Sequence, residues 1–379
     1  MKISIQPHWV LDGRSDLDRM MRRLLPLLAA IERDGNLLRA ARGLGMSYRH
    51  AWGLVRDSAR VLGAPVLTMS RGRGATLSPL GEKLLWADKR IAARLAPILR
   101  NLATELEMEI DRALREPDTI LRMRASHGFA IELLRDHLVH DHVPVDLKYC
   151  ASMEALAALA AGECEVGGFH APVGPLQSGA LAFYGKWLSA KGRTLVTLCH
   201  RSEGIMAAPG NPKGIVGVSD LARPGMRFVN RQFGSGTRIL LDLLLAREGV
   251  ESHQIAGYET GEFTHSAVAA YIASGMADAG FGVEAAARRF GLDFVPLVAE
   301  RYFLICRDES IATPFMQRVL ETLASRRFHA AAGRIPGIDA TRAGTLLSVE
   351  EAFPELAARD DGAAKPGGGV KKLAARERD

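Results

Sequence analysis

Arg231, Ser235 and Thr237 lie in or beside the glycine-containing turn of residues 227–249, RFVNRQFGSGTRILLDLLLAREG, where a short β-prone run gives way to a long apolar-faced helix. Two hydroxyls and a guanidinium at a helix start can do anion chemistry. The first four N–H groups of a helix have no intrahelical partner, and the helix dipole places partial positive charge there. Gly234 and Gly236 let the backbone approach a ligand, while Ile239, Leu240, Leu243 and Leu244 recur at helical spacing and anchor the helix in a core. A plain capped turn uses the same residue types, so this is a candidate binding loop and not evidence of catalysis. The glycines match neither G-x-G-x-x-G nor G-x-x-x-x-G-K-[ST], which leaves a nucleotide with little support.

The elements around this loop alternate. TILRMRASH, VDLKYC, CEVGGFH, TLVTLCH, RFVN, DAGFGV, DFVPL and YFLICR are strand candidates, with GFAIELLRDHLV, MEALAALAAG, HSAVAAYIASG and EAAARRFG as helices between them. Such alternation predicts an α/β domain of parallel sheets with crossover helices, with ligands at the strand ends. Further junctions carry polar side chains: Ser126 and His127 in RASHGFA, Ser152 in CASMEAL, Thr264 and His265 in EFTHSAVAA. Any one could be a cap. Together they describe a cleft lined with N–H and O–H donors. His137, His140 and His142 form a polar helix end and not a compact set of four metal ligands. No G-x-S-x-G elbow, H-E-x-x-H or paired carboxylate motif is found, so no enzyme, resident cofactor or metal is expected.

With 379 residues, 47% hydrophobic and 24% charged, the chain has the composition of a soluble protein of two or three domains. No apolar run is long enough to span a bilayer, and MKISIQPHWVLDGRSD lacks the apolar core of a secretory signal, so a cytoplasmic location is expected. Cys150, Cys164, Cys199 and Cys306 are widely spaced and read as free thiols. The charge is uneven. Residues 1–78 hold 13 Lys and Arg against 6 Asp and Glu, whereas the rest of the chain is close to neutral. Basic charge gathered in one small segment suits a polyanionic partner, although a solvated basic face has the same composition.

Residues 24–60, LLPLLAAIERDGNLLRAARGLGMSYRHAWGLVRDSAR, contain two short helical patterns around a glycine turn. Asn36 and Ser47 can cap them, Ala40 and Ala41 permit close crossing, and Gly45 makes the turn. That is the helix-turn-helix order. Ala51, Leu54 and Val55 face inward with Trp52 nearby, leaving Ser47, Tyr48, Arg49, His50 and Arg56 toward a partner, as residues that reach phosphates and base edges do. PVLTMSRGRGATLSPLGEKLL follows as two β-prone runs around Arg71 and Arg73, either a DNA-contacting wing or an idle surface loop. Residues 80–115 then carry a long apolar helix pattern interrupted by Pro97.

The AARGLGMSYRHAW core and the RGRGATLSPLGEKLL wing resemble the winged helix-turn-helix of LysR-type regulators, and still more that of molybdate-responsive transcriptional regulators, over about the first 85 residues. The resemblance implies that the long helix is a linker pairing two subunits; a helix packed only within its own chain is the alternative. SMEALAALAAGECEVGGFH, RFVNRQFGSGTR and THSAVAAYIASGMADAGFGVEAAARRFGLDFVPLVAERYFLICR resemble the periplasmic-binding-protein-like domain related to molybdate and tungstate receptors. That likeness implies two lobes joined by strands near 199–208 and 300–306. It also implies an oxyanion held by Ser126, Ser152, Thr237 and Tyr302, with Asn230 and Arg231 close by. This chain departs from the pattern in having His127, His170 and Arg231 near the cleft, and Gly128 where the family form has aspartate after the histidine. An Arg fork also suits formate or another small carboxylate.

The expected architecture is α/β: a winged helix-turn-helix over 1–82, a linker helix over 83–116, a two-lobed type II periplasmic-binding-protein-like domain over 117–358 and a disordered basic tail over 359–379. The expected ligand residues are Ser126, His127, Ser152, Asn230, Arg231, Ser235, Thr237 and Tyr302. The expected DNA contacts are Asn36, Ser47, Tyr48, Arg49, His50, Arg56, Arg71 and Arg73. The expected function is a one-component transcriptional regulator sensing molybdate or tungstate, with formate as an alternative effector and an oxyanion carrier or storage protein as an alternative function. The expected partners are a double-stranded operator, the anion and a second or further copies in a dimer or tetramer, with RNA polymerase a further contact open to such a regulator.

Overall fold

The computed structural model describes residues 3–10, 15–70, 74–114 and 120–356. Arg71, Arg73 and the tail expected from 359 onward lie outside those residues.

The N-terminal part begins with α1 (Ser15–Asp34), α2 (Leu37–Gly43) and α3 (Tyr48–Leu62), followed by the hairpin of β1 (Leu67–Ser70) and β2 (Gly74–Leu77). Asn36 caps α2 and Ser47 caps α3. Gly45 adopts φ +67° in the turn between them, a left-handed conformation that a side chain disfavours. Ala40 and Ala41 are fully buried beneath α1, where larger side chains would hold the helices apart. Helix α4 (Pro79–Leu114) follows; at 36 residues it is roughly 54 Å long.

The second part contains β3 (Leu121–Ala125), α5 (Phe129–His140), β4 (Val145–Tyr149), α6 (Ser152–Ala161), β5 (Val166–Pro172), α7 (Gln177–Leu188) and the 15-residue β6 (Arg193–Ala207). It continues through β7 (Phe228–Arg231), α8 (Gly236–Arg247), β8 (Gly261–Glu262), α9 (His265–Ala273), β9 (Ala279–Val283), α10 (Glu284–Arg289) and the 15-residue β10 (Asp293–Arg307). The described chain closes with α11 (Pro314–Ala324), α12 (Arg326–Ala332), β11 (Ile338–Asp339), β12 (Leu346–Ser348) and α13 (Val349–Ala352).

The strand order is β4-β3-β5-β10-β6-β9-β7-β8. Strands β3, β4 and β5 are parallel in one lobe, and β7, β8 and β9 are parallel in the other. The centre departs from the all-parallel expectation, because β10 runs antiparallel to both β5 and β6, and β6 antiparallel to β9. β6 and β10 pass through both lobes as the two crossing strands. The sequence divides β10 into DFVPL and YFLICR at a charged pair, Glu300 and Arg301, yet one strand covers both.

The β6–β10 ladder shifts register between Pro296 and Val298 and again between Tyr302 and Phe303. Gly204 faces the first shift. A Cβ there would stand 2.0 Å from the Val295 carbonyl oxygen. Gly204→Ala must displace a crossing strand and is expected to cost about 3 kcal/mol, read as a lower urea midpoint with an unchanged slope.

Candidate functional site

Four helices begin around one small cavity of about 20 Å³ between the lobes. Ser126 and His127 precede α5, Cys150 and Ala151 precede α6, Ser235 caps α8, and His265 opens α9. Each helix start contributes partial positive charge and N–H groups without intrahelical partners, so the convergence favours an anion.

Of the expected ligand residues, Ser126, His127, Arg231, Ser235 and Thr237 line this cavity. Ser152 stands directly behind, with its Oγ 3.0 Å from Ser126 Oγ. Ser235 Oγ accepts from the Arg238 N–H at 3.2 Å as the cap of α8. The Thr237 hydroxyl donates to Glu203 Oε1 at 3.1 Å, which leaves its backbone N–H as the group offered by the first turn of α8.

Two expected ligand residues do other work. Tyr302 donates its hydroxyl to the Ser126 carbonyl oxygen at 2.8 Å, so it fixes the loop that carries Ser126. Asn230 is fully buried; its Nδ2 donates to the Tyr258 carbonyl at 3.1 Å and its Oδ1 accepts from the Arg231 N–H at 2.9 Å. It braces β7.

Arg231 is also partly committed. Its Nε donates to the Glu262 carbonyl at 3.2 Å and one Nη to the Phe263 carbonyl at 2.8 Å, while Nη1 is buried without a hydrogen-bond partner. His170 Nε2, on another residue of the cavity wall, is likewise buried and unpartnered, as is Glu203 Oε2 beneath it, whereas the unpartnered His265 Nδ1 lies against Gly282 of β9. Leaving such groups unpaired costs about 1–3 kcal/mol each, so together they call for a polar occupant.

The floor is a charge cluster on the crossing strands. Arg201 stands opposite Glu300 in the ladder and donates to Glu300 Oε2 at 2.8 Å and to Glu203 Oε1 at 2.6 Å. Burial pushes the Glu300 carboxyl up to about 8, with Arg201 opposing the rise and Glu203 adding to it. Holding that proton leaves two guanidiniums, Arg201 and Arg231, against the remaining carboxylate of Glu203. Burial brings Arg231 down to about 10, still charged at neutral pH. Burial, reinforced by Arg201 and Arg231, drives His170 and His265 well below the usual imidazole range, so both rings are neutral. A neutral ring offers one donor and one acceptor.

The sequence reading did not select Arg201, Glu203 or Glu300. Their signal is charge inside the apolar runs of the two crossing strands, with Arg201 and Glu203 two residues apart and so on one face. Burying such groups is costly unless they are paired.

In the N-terminal part, the exposed face of α3 carries Tyr48, Arg49, Trp52 and Arg56, with Tyr48 46% and Trp52 42% exposed. His50 is exposed beside Arg23, 3.0 Å from its Nη1. The Ser47 hydroxyl caps the same helix through the His50 N–H. Asn36 is committed in the same way: its Oδ1 accepts from the Leu38 and Arg39 N–H groups, so its oxygen serves α2.

The expected polar helix end is mixed: His140 and His142 follow that description, but His137 is buried and its Nδ1 lies 2.9 Å from the Leu133 carbonyl. Among the described residues, no group of three or more His, Cys, Asp or Glu could hold a metal ion. Cys150, Cys164, Cys199 and Cys306 are free thiols. No described helix is long and apolar enough to cross a membrane.

A PBP superfamily domain model matches residues 135–324, half of the chain, and its span includes the crossing strands and most of the cavity wall. The chain belongs to the PBP superfamily. This PBP-superfamily chain is 29% identical over 226 residues to the Bacillus subtilis (strain 168) protein YvgK, covering 59% of the chain and 73% of YvgK. It is 40% identical over 119 residues to the Molybdenum-pterin-binding protein MopB of Rhodobacter capsulatus, covering 30% of the chain and only 43% of that protein. Among solved structures, the Corynebacterium glutamicum OxyR C206 mutant aligns at 15% identity and a TM-score of 0.39, covering 81% of this chain and 92% of that one.

Proposed function

We propose that this chain is a DNA-binding transcriptional regulator whose two-lobed domain senses a small oxyanion, with molybdate or tungstate as the effector. One observation carries the sensing half: four helix starts and the unpartnered Arg231 Nη1 meet at one buried cavity. The exposed cationic face of α3, following a capped helix-turn-helix, supports the DNA half. The 119-residue likeness to a protein named for molybdenum-pterin binding favours molybdenum chemistry over other oxyanions.

Formate is the weaker effector. A bidentate carboxylate clamp needs two free guanidinium nitrogens, and Arg231 has two of its three committed to backbone carbonyls. A carrier has no use for an exposed Arg and aromatic face on a capped recognition helix. Exposed Ile91, Ile98, Leu102 and Leu106 form an apolar ridge along α4 that fits pairing with a second copy.

Two measurements test the proposal. Molybdate and tungstate should raise the melting temperature in proportion to occupancy, and sulfate, phosphate and formate should not. No shift with either metal oxyanion sinks the sensing half. On a DNA fragment from upstream of the gene, Arg49→Ala and Arg56→Ala should each weaken binding and reduce the salt slope by roughly 1. An unaltered slope in both variants removes α3 from the interface.

A further inference from the structure

Helix α4 lies across both lobes and is fastened to each. On lobe one, Arg100 pairs with Glu132, and Glu132 Oε1 lies 2.6 Å from Nε2 of His127 in the cavity wall. Burial pushes the Glu132 carboxyl up, but His127 and Arg100 outweigh it and hold the group down to about 2. Asn101 grips the β4 edge, accepting from the Tyr149 N–H at 3.0 Å and donating to its carbonyl at 3.5 Å. On lobe two, Arg94 pairs with buried Glu262 at 2.9 Å, and the carbonyl of Glu262 receives Arg231 Nε.

The second lobe-two attachment depends on Pro97. Having no N–H, Pro97 cannot close the helical bond to the Ala93 carbonyl four residues earlier. That oxygen instead accepts from the Thr264 hydroxyl at 3.2 Å, and Thr264 also caps α9, the helix opened by His265. Ala93 also packs against Ala267 and Ala270 of α9, and beside these attachments a cleft of about 620 Å³ opens between α4 and the lobes.

We infer that α4 is a strap that holds the two lobes closed over the oxyanion cavity and releases when they part, thereby transmitting occupancy to the reading head. The inference rests on the proposed oxyanion sensing and names its regulation. Arg94 and Arg100 are six residues apart, roughly 9 Å along one continuous helix. Lobes that separate must therefore break one attachment. Closure brings the cavity donors together for the anion, so docked helix and bound anion favour the same state. By linkage each strengthens the other equally.

The test uses the full chain and the variant Arg94→Gln/Arg100→Gln, with the single Arg94→Gln as a milder second variant should the double fail to fold. Without added anion, hydrogen exchange in α4 and in the first turns of α5 and α9 should be about tenfold faster in the folded variant than in the wild type. With molybdate as the probe, calorimetry should show about tenfold weaker binding, and its effect on operator affinity should largely vanish. Exchange rates, molybdate affinity and operator response all unchanged would overturn the strap. Wild-type chain that gives no molybdate heat overturns the oxyanion reading instead, and the anion-free exchange still decides whether α4 holds the lobes.

Discussion

Arg201→Met is expected to remove about 3–5 kcal/mol of stability, because it strands the buried Glu203 carboxylate without its counterion and takes a donor from buried Glu300. Arg201, Glu203 and Glu300 are all nearly inaccessible, so solvent cannot take over the neutralisation. The loss is one of pairing and not of packing, and the double variant Arg201→Met/Glu203→Gln should recover much of it. Urea denaturation of both variants checks this; equal midpoints for the single and double variants would remove the unpaired-carboxylate explanation.

The same cluster sets a pH dependence in the wild-type chain. Glu300 in the folded protein is raised from 4.5 to about 8. Between those values the folded state holds a proton that the unfolded state has released. Its contribution is full below about pH 4.5 and fades as the pH rises through 8. The urea midpoint should therefore fall from pH 6 to pH 8.5, and Glu300→Gln should flatten that fall. Glu132 has the opposite sign: its contribution is present above 4.5 and is lost as the pH drops toward 2.

Arg231→Ala should weaken molybdate binding about a hundredfold, or about 2.7 kcal/mol, as expected for loss of a charge-assisted donor from a buried site. Arg231→Lys should rescue little. One ammonium cannot reach the Glu262 and Phe263 carbonyls and an anion with the fixed geometry of a guanidinium. Calorimetry with molybdate, alongside melting curves that confirm folding, provides the readout. Binding within threefold of wild type would place the anion away from Arg231.

Much of the helix-turn-helix is legible in its caps and small residues. Asn36, Ala40, Ala41, Gly45 and Ser47 each perform the local job their type implies, because capping and close crossing depend on neighbours within a few residues. The helix starts around the cavity are legible for the same reason. Long-range partners are not. Whether Tyr302 faces an anion or the Ser126 carbonyl depends on how residues 176 apart meet, and spacing along the chain carries no such information. Asn230 shows the same limit, and so does the antiparallel centre of the sheet: two long strands broken by charge read as several short ones.

Strand β4 ends the sheet, and Asn101 covers the hydrogen-bonding side of Tyr149. The long helix thus shields a sticky border as well as bridging the lobes. Cutting the two-lobed domain free of that helix would bare main-chain groups able to recruit a neighbouring sheet and start aggregation. An isolated two-lobed domain is therefore a poor stand-in for the intact chain in solution work.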